Sequence, residues 1–274
     1  MKRISRSLLA ATASASLFVL AGCGGQGVED VPALSEIDDL MWETMQQEGS
    51  VTMSTDLALI ADGDPMVEQM FGGATDLSIY GALDGSATAV RVGENDLMRV
   101  FGQDEAFLSG DALFAMFEGE GMGLDASEQE QLESAAAELA DSWIDFSSEL
   151  SGSDEDFNIG ELFSTLHDDW TGEEDSDDTP IDRSEISDEG THEVRDDIDV
   201  WVYPGEEEGQ ELVLIADHDA PKFYELSADD ISMKFTDWGE TESPARPDDA
   251  NILTQEEAQQ RIMEALMGSM LGSN

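Results

Sequence analysis

The sequence predicts an α+β fold dominated by an antiparallel sheet. Short runs in which apolar and polar residues alternate recur along the chain, the period of strands with one covered face. Short connections join them, which favours antiparallel neighbours. Segments with apolar residues three and four apart fall around these runs, as in amphipathic helices. Neither an internal repeat nor a break in composition divides the chain into two domains.

The body is expected to begin near Ser35, a candidate N-cap for a helix whose stripe is Ile37, Leu40, Met41 and Met45. Residues 50–60 follow as a strand, with Val51, Met53, Leu57 and Leu59 alternating with Thr52, Ser54, Asp56 and Ala58. Residues 64–71 read as one or two helical turns. A meander comes next: Leu77, Ile79 and Leu83, then Val90 and Val92, then residues 97–101 and 106–109. Asp111 is placed to cap a helix carrying Leu113, Phe114 and Phe117, and residues 126–142 are rich in helix formers. Asn158 to Trp170 forms another helix, with Leu162, Phe163 and Leu166 on one side. Residues 171–197 are the most polar stretch and read as an acidic solvated loop. Strands resume at 198–203, 211–216, 222–226 and 231–237. In the last, Ile231, Met233 and Phe235 face opposite to Ser232, Lys234 and Thr236. Thr254 and Glu257 form a capping box opening a C-terminal helix over 254–274, with Ala258, Ile262, Ala265 and Leu266 as its stripe.

The N-terminus carries the most specific signal. Lys2, Arg3 and Arg6 precede an apolar stretch from Ser7 to Ala21, shorter than the roughly 20 residues a spanning helix needs. Leu20-Ala21-Gly22-Cys23 follows, and Cys23 is the single cysteine. This segment closely resembles the lipobox of bacterial lipoproteins. The resemblance implies a signal over 1–22 cut between Gly22 and Cys23, and a diacylglyceryl group on the Cys23 thiol carrying acyl chains such as palmitate. The alternative is an ordinary secretory signal with an incidental cysteine. Each buried methylene contributes about 0.8 kcal/mol, so two or three chains hold a protein durably where one holds it marginally. The expected location is the outer face of the cell membrane, extracellular or periplasmic, with residues 23–34 as a lipidated flexible tether. No second thiol remains for a disulfide, so the exported fold relies on its apolar core.

The signal holds three of the 11 basic residues and none of the 64 acidic ones, so the mature charge is 8 minus 64, or −56. Such an excess repels phosphates and anionic headgroups, which argues against nucleic acid as a partner. Salt relieves the self-repulsion, because the Debye length falls from roughly 10 Å at 0.1 M to about 3 Å at 1 M. The acidity fits halophilic adaptation, a cation-binding surface, or solubility.

The run Ile231-Ser232-Met233-Lys234-Phe235-Thr236-Asp237-Trp238-Gly239 with Pro247 resembles the final strand of the LppX/LprAFG lipoproteins and, more distantly, the LolA-type carriers. Asp199-Val200-Trp201-Val202 is similar to a strand of that family leading into a turn, and Trp143-Ile144 to its central tryptophan. Two departures are the insertion of Glu240 to Ser243 before Pro244, and the helix extending past the usual end. The resemblance covers about residues 35–251. It implies an incomplete, strongly curved antiparallel β-barrel over 35–253 with helices packed over its concave face and an apolar cavity between. Members with known roles carry acylated lipids or lipoproteins.

No arrangement supports catalysis, and no cofactor or metal site is predicted. His167, His192 and His218 are isolated in sequence, and His192-Glu193-Val194-Arg195-Asp196 lacks the second histidine of a zinc-protease helix. Leu124 stands at the last glycine position of a dinucleotide fingerprint in residues 119–124. Pro180 takes the turn position of an incipient calcium loop at residues 175–180. Met41/Met45, Met66/Met70 and Met263/Met267 each share a helix face, suited to an adaptable cavity or to ordinary core filling.

The expectation is a non-enzymatic, membrane-anchored lipoprotein that binds a lipid or lipidated molecule, with Val51, Met53, Leu57, Leu77, Ile79, Ile231, Met233 and Phe235 as candidate wall residues. The alternative is an acidic structural or interaction lipoprotein without a cavity ligand, binding cations or a basic protein. A hydrolase ranks third, for want of a nucleophile motif. Two outcomes follow. Cys23→Ser shifts the protein from the membrane fraction to the medium or periplasm, and retention in the membrane argues against the lipid anchor. Thermal unfolding in rising sodium chloride gives a climbing midpoint, whereas a flat midpoint removes the salt-adaptation reading.

Overall fold

A computed structural model describes residues 30–57, 75–113, 136–137, 139–150, 158–172, 183–228 and 231–268. Cys23 with its signal, the turns at 64–71, Phe114 and Phe117, most of the helix at 126–142, Met66/Met70, and the 119–124 and 175–180 motifs lie outside the described residues. From Val31 onward the chain forms one unit.

Helix α1 (Leu34–Glu48) turns Leu34, Ile37, Met41, Trp42 and Met45 inward and stops at Gly49, whose φ of 77° is the left-handed conformation of a helix C-cap. Its N-cap is Ala33, not Ser35. Ser35 lies in the first turn, where its N–H and Oγ both donate to the Asp188 carboxylate at 3.1 Å. An acceptor 153 residues away thus meets the donor that a local cap would have served.

The sheet comprises β1 (Ser50–Asp56), β2 (Asp76–Ala82), β3 (Thr88–Val92), β4 (Asn95–Phe101), β5 (Glu105–Ser109), β6 (Trp143–Asp145), β7 (Thr191–Arg195), β8 (Ile198–Pro204), β9 (Glu211–Ile215), β10 (Lys222–Ala228), β11 (Ile231–Thr236) and β12 (Ile252–Leu253). Its order is β12-β6-β5-β4-β3-β2-β1-β11-β10-β9-β8-β7. Two antiparallel meanders are fused where β1 pairs with β11, and only β12 on β6 is parallel. The sheet is open, with β12 and β7 as its edges. The fold is therefore α+β with a mostly antiparallel 12-stranded sheet, as the alternating runs predict.

β7 lies inside the stretch read as a loop. Its residues are all polar except Val194, which is 64% exposed, so no apolar alternation marks it. Charged edge strands are common because they discourage pairing with other chains. Asp196 and Asp197 turn the chain into β8 with φ of 50° and 66°, the positive values a two-residue hairpin requires. A second difference concerns residues 110–113, which are helical but capped by Ser109, whose Oγ accepts from the Ala112 N–H at 3.1 Å, in place of Asp111.

Three further α-helices lie entirely among the described residues: α2 (Ser147–Leu150), α3 (Ile159–Thr171) and α4 (Gln255–Gly268). The Asn158 side chain caps α3, accepting from the Glu161 N–H at 2.8 Å. Gly160 lets α3 approach the β2–β3 turn, since a Cβ there would lie 2.6 Å from the Leu83 carbonyl oxygen. The α4 capping box forms reciprocally: Thr254 N–H donates to Glu257 Oε2 at 2.9 Å, and Glu257 N–H to Thr254 Oγ1 at 3.2 Å. Ile262 of this helix packs with Leu139 and Leu253, while Met263 is exposed.

Helices α1 and α3 cover one face of β8–β11, β1 and β2 through a single core cluster. Aromatic rings dominate it. Trp42 sits at its centre, 5.3 Å from the rings of both Phe163 and Phe223. Met41 and Met45 are buried there, as core filling. The Asp237-Trp238-Gly239 step folds the chain back on itself: Asp237 and Gly239 have φ of 54° and 71°. Trp238 thereby enters the core, where its indole N–H donates to the Phe223 carbonyl at 2.9 Å.

Candidate functional site: the inner face of the sheet

Side chains alternate between faces along a strand, so register assigns each to one side. Val51 and Met53 lie in the core cluster with α1 and α3, which defines the inner face. Pairings carry one lateral row across it: Phe235 opposite Met53, Met53 opposite Ile79, Ile79 opposite Val90, Val90 opposite Met98, Met98 opposite Leu108, and Leu108 opposite Ile144. This apolar row crosses β11, β1, β2, β3, β4, β5 and β6. A parallel row runs Met233, Thr55, Leu77, Val92.

Burial varies along the row. Phe235, Met53 and Ile144 are buried at 1%, 4% and 1% exposure, whereas Ile79, Val90, Met98 and Leu108 between them are half-buried. Among the wall candidates, Val51, Met53 and Phe235 are packed beneath the helices, and Ile79 and Met233 lie at the margin of that cluster. Leu77 is half-buried and Leu57 is buried just past the end of β1. Ile231 pairs with Ala228 at the start of β11. The strand alternation thus gathers Val51, Met53, Leu77, Ile79, Met233 and Phe235 on one face. Val90, Met98, Leu108 and Ile144 are not among the wall candidates, because their place in the row with Ile79 follows from pairing rather than from any local motif. In the second row the Thr55 hydroxyl is buried without a hydrogen-bond partner. Two hollows of about 490 Å³ each lie away from this row, one between α1 and α3 and one on the outer face.

The outer face is polar near β1–β4. Asp96, whose side chain is 7% exposed, accepts from Arg91 Nε at 2.7 Å and Arg99 Nη2 at 2.7 Å. The Tyr80 hydroxyl donates to it at 2.9 Å and accepts from Arg91 at 2.6 Å. Arg99 also donates to the Ala245 carbonyl at 2.8 Å, tying residues 239–246 across this face. Burial opposes ionisation of Asp96, but the hydrogen bonds from Arg91, Arg99 and Tyr80 outweigh it and hold its carboxyl below the usual carboxylate range. Burial, then the hydrogen bond to Asp96, pushes the Tyr80 phenol up to about 12.

The histidines stand on separate elements: His167 on α3 against Trp42 at 4.9 Å between rings, His192 beside Asp199 at 3.0 Å, and His218 against Trp201 at 4.8 Å. Among the described residues no three His, Cys, Asp or Glu side chains converge as metal ligands would, and no helix is long and apolar enough to cross a membrane. Comparison with protein-family models, curated proteins and solved structures finds no match for this chain.

Asp96→Asn is expected to destabilise the fold by roughly 2 kcal/mol, because it leaves two partly buried guanidinium groups without their anion, and solvent reaches Arg91. Because the folded value is depressed, the contribution of the wild-type carboxylate is complete above about pH 4 and disappears as pH falls through that folded value. The contribution of Tyr80 has the opposite sense, complete below about pH 10 and lost as pH rises towards its folded value of about 12. Urea unfolding of both proteins between pH 2 and 7 reads the acid limb as a gap that closes in acid; a constant gap contradicts it.

Proposed function

We propose that this protein is a lipid-anchored, extracytoplasmic binding protein of the LppX/LprAFG type, without enzymatic activity. It would hold a lipid or lipidated molecule against the inner face of a strongly curved, incomplete barrel. The observation that carries this reading is the apolar row, buried at both ends and half-buried from Ile79 to Leu108. An open, mostly antiparallel sheet bearing α1 and α3 on one face supports the same architecture. Aromatic packing fills the part of that face beneath α1 and α3, so the reading puts the ligand against β2–β6. Burial of an apolar chain there would contribute roughly 25 cal/mol per Å² of apolar surface removed from water. Attachment through Cys23 would keep the protein at the membrane that supplies or receives such a ligand.

The neutral dye N-phenyl-1-naphthylamine tests the reading, since the charge of the protein does not repel it. One dye per chain is expected to bind with enhanced fluorescence, and Met98→Asp to weaken binding about tenfold or more by placing a carboxylate on the row. Solvent extraction of the purified, unacylated protein followed by mass spectrometry is expected to yield lipid. A clean extract together with dye binding indifferent to Met98→Asp argues for the interaction lipoprotein instead.

A further inference from the structure

We propose that the outer-face hollow between β1–β4 and residues 239–246 binds a short zwitterionic peptide, its C-terminal carboxylate on Arg91 and its N-terminal ammonium on the acidic segment opposite. The hollow, about 490 Å³, is lined by Ser78, Arg91 and Arg99 on the sheet and by Glu240, Glu242 and Ser243 on the segment, among others. The cube root of that volume is about 8 Å, close to the roughly 7–11 Å that two or three extended residues span. Three contacts hold the segment over the sheet. The Gly239 N–H donates to the Ser50 carbonyl at 2.9 Å, the Thr52 and Thr241 hydroxyls meet at 3.1 Å, and Arg99 Nη1 donates to the Ala245 carbonyl at 2.8 Å. The hollow is therefore formed before a ligand arrives, which lowers the ordering cost of binding.

Hydrogen-bond valence selects the anionic end. Asp96 accepts from both arginines and from the Tyr80 hydroxyl, so two guanidinium groups share one carboxylate and the floor carries one positive charge in surplus. Arg91 commits Nε to Asp96 and Nη2 to Tyr80. Of the five N–H groups of a guanidinium three then remain, enough for a bidentate carboxylate. The Arg91 side chain is 40% exposed and lines the hollow. On the other wall Glu240 and Glu242 are exposed carboxylates. Net charge selects the rest of the ligand. The excess of 64 acidic over 11 basic residues repels a free anion, and a free cation meets carboxylates all over the surface. A ligand bearing both signs is neutral overall and gains where both signs face it. The Ser78 and Ser243 hydroxyls beside the charges suit the N–H and C=O groups of a peptide backbone. Nothing in this depends on the inner face.

Isothermal titration of triglycine into the purified full chain in mild detergent, at about 0.15 M sodium chloride, tests this. One peptide per chain is expected to bind. C-terminal amidation turns the peptide into a cation that the acidic protein attracts, yet it should weaken binding about tenfold, and N-terminal acetylation should weaken it as much. Glu240→Gln with Glu242→Gln should cost about threefold to tenfold, whereas Glu206→Gln with Glu208→Gln, which removes the same charge from the β8–β9 turn, should change affinity less than about twofold. Arg91→Gln should erase the preference for triglycine over its amide, a ratio that a loss of stability does not move. An amide that binds the wild type as tightly as triglycine would mean diffuse attraction to an acidic surface and would overturn the proposal. So would an undiminished preference in Arg91→Gln, or no binding of triglycine up to about 10 mM. Dye binding on the inner face is expected to be unchanged by saturating triglycine, so this proposal and the lipid reading fail separately.

Discussion

Pairing of β1 with β11, from Thr52 opposite Thr236 to Thr55 opposite Met233, is the interaction on which the rest depends. Each meander joins strands that follow one another in the chain, but β1 and β11 are nearly two hundred residues apart in sequence and lie side by side at the middle of the sheet. Met53 against Phe235 continues the apolar row from one meander into the other. The aromatic cluster draws Trp42 from α1, Phe163 from α3 and Phe223 and Phe235 from the second meander, so it can form only once the seam has closed. Such long-range closure costs more chain entropy than a hairpin does, and burial of those rings offsets it.

Electrostatics constrains the same structure from outside. With 64 acidic residues against 11 basic ones, carboxylates repel wherever strands converge. Three cations stand at long-range contacts: Arg183 with Asp38, Lys222 with Glu48 at 2.6 Å, and Arg246 with Glu105 at 3.1 Å. Arg195 bridges Glu193 and Glu211 over the outer face of β7–β9, and Glu211 first, against the cost of burial, raises its guanidinium above the usual arginine value. Surface pairs of this kind are individually weak. Here each one also relieves repulsion at a contact between distant segments.

Much of the fold was legible in the residues themselves. β1, β2 and β11 show apolar alternation, β8 a continuous apolar run from Val200 to Tyr203, Asn158 and the Thr254/Glu257 box announce helix starts, and Gly49 and Gly172 end α1 and α3. What escaped had no local signal. β7 is polar on both sides because it is an edge, and β12 has two residues that find a parallel partner in β6. The start of α1 was misplaced at Ser35 because the acceptor Asp188 is remote in sequence. Among candidate wall residues the common face was legible, but the division between packed and half-buried was not, because α1 and α3 choose which half of the sheet they cover.

The sequence alone determined the acidic character, the lipobox-like Cys23 segment and the period of each strand and helix, since these rest on residue identity and nearest-neighbour geometry. Tertiary structure alone decided that Ile79, Val90, Met98, Leu108 and Ile144 fall in one row, because register is a property of pairs of strands. It also decided that Trp42 and Trp170 meet beside Asp38, since two helices separated by more than one hundred residues pack together only when the sheet beneath them is complete.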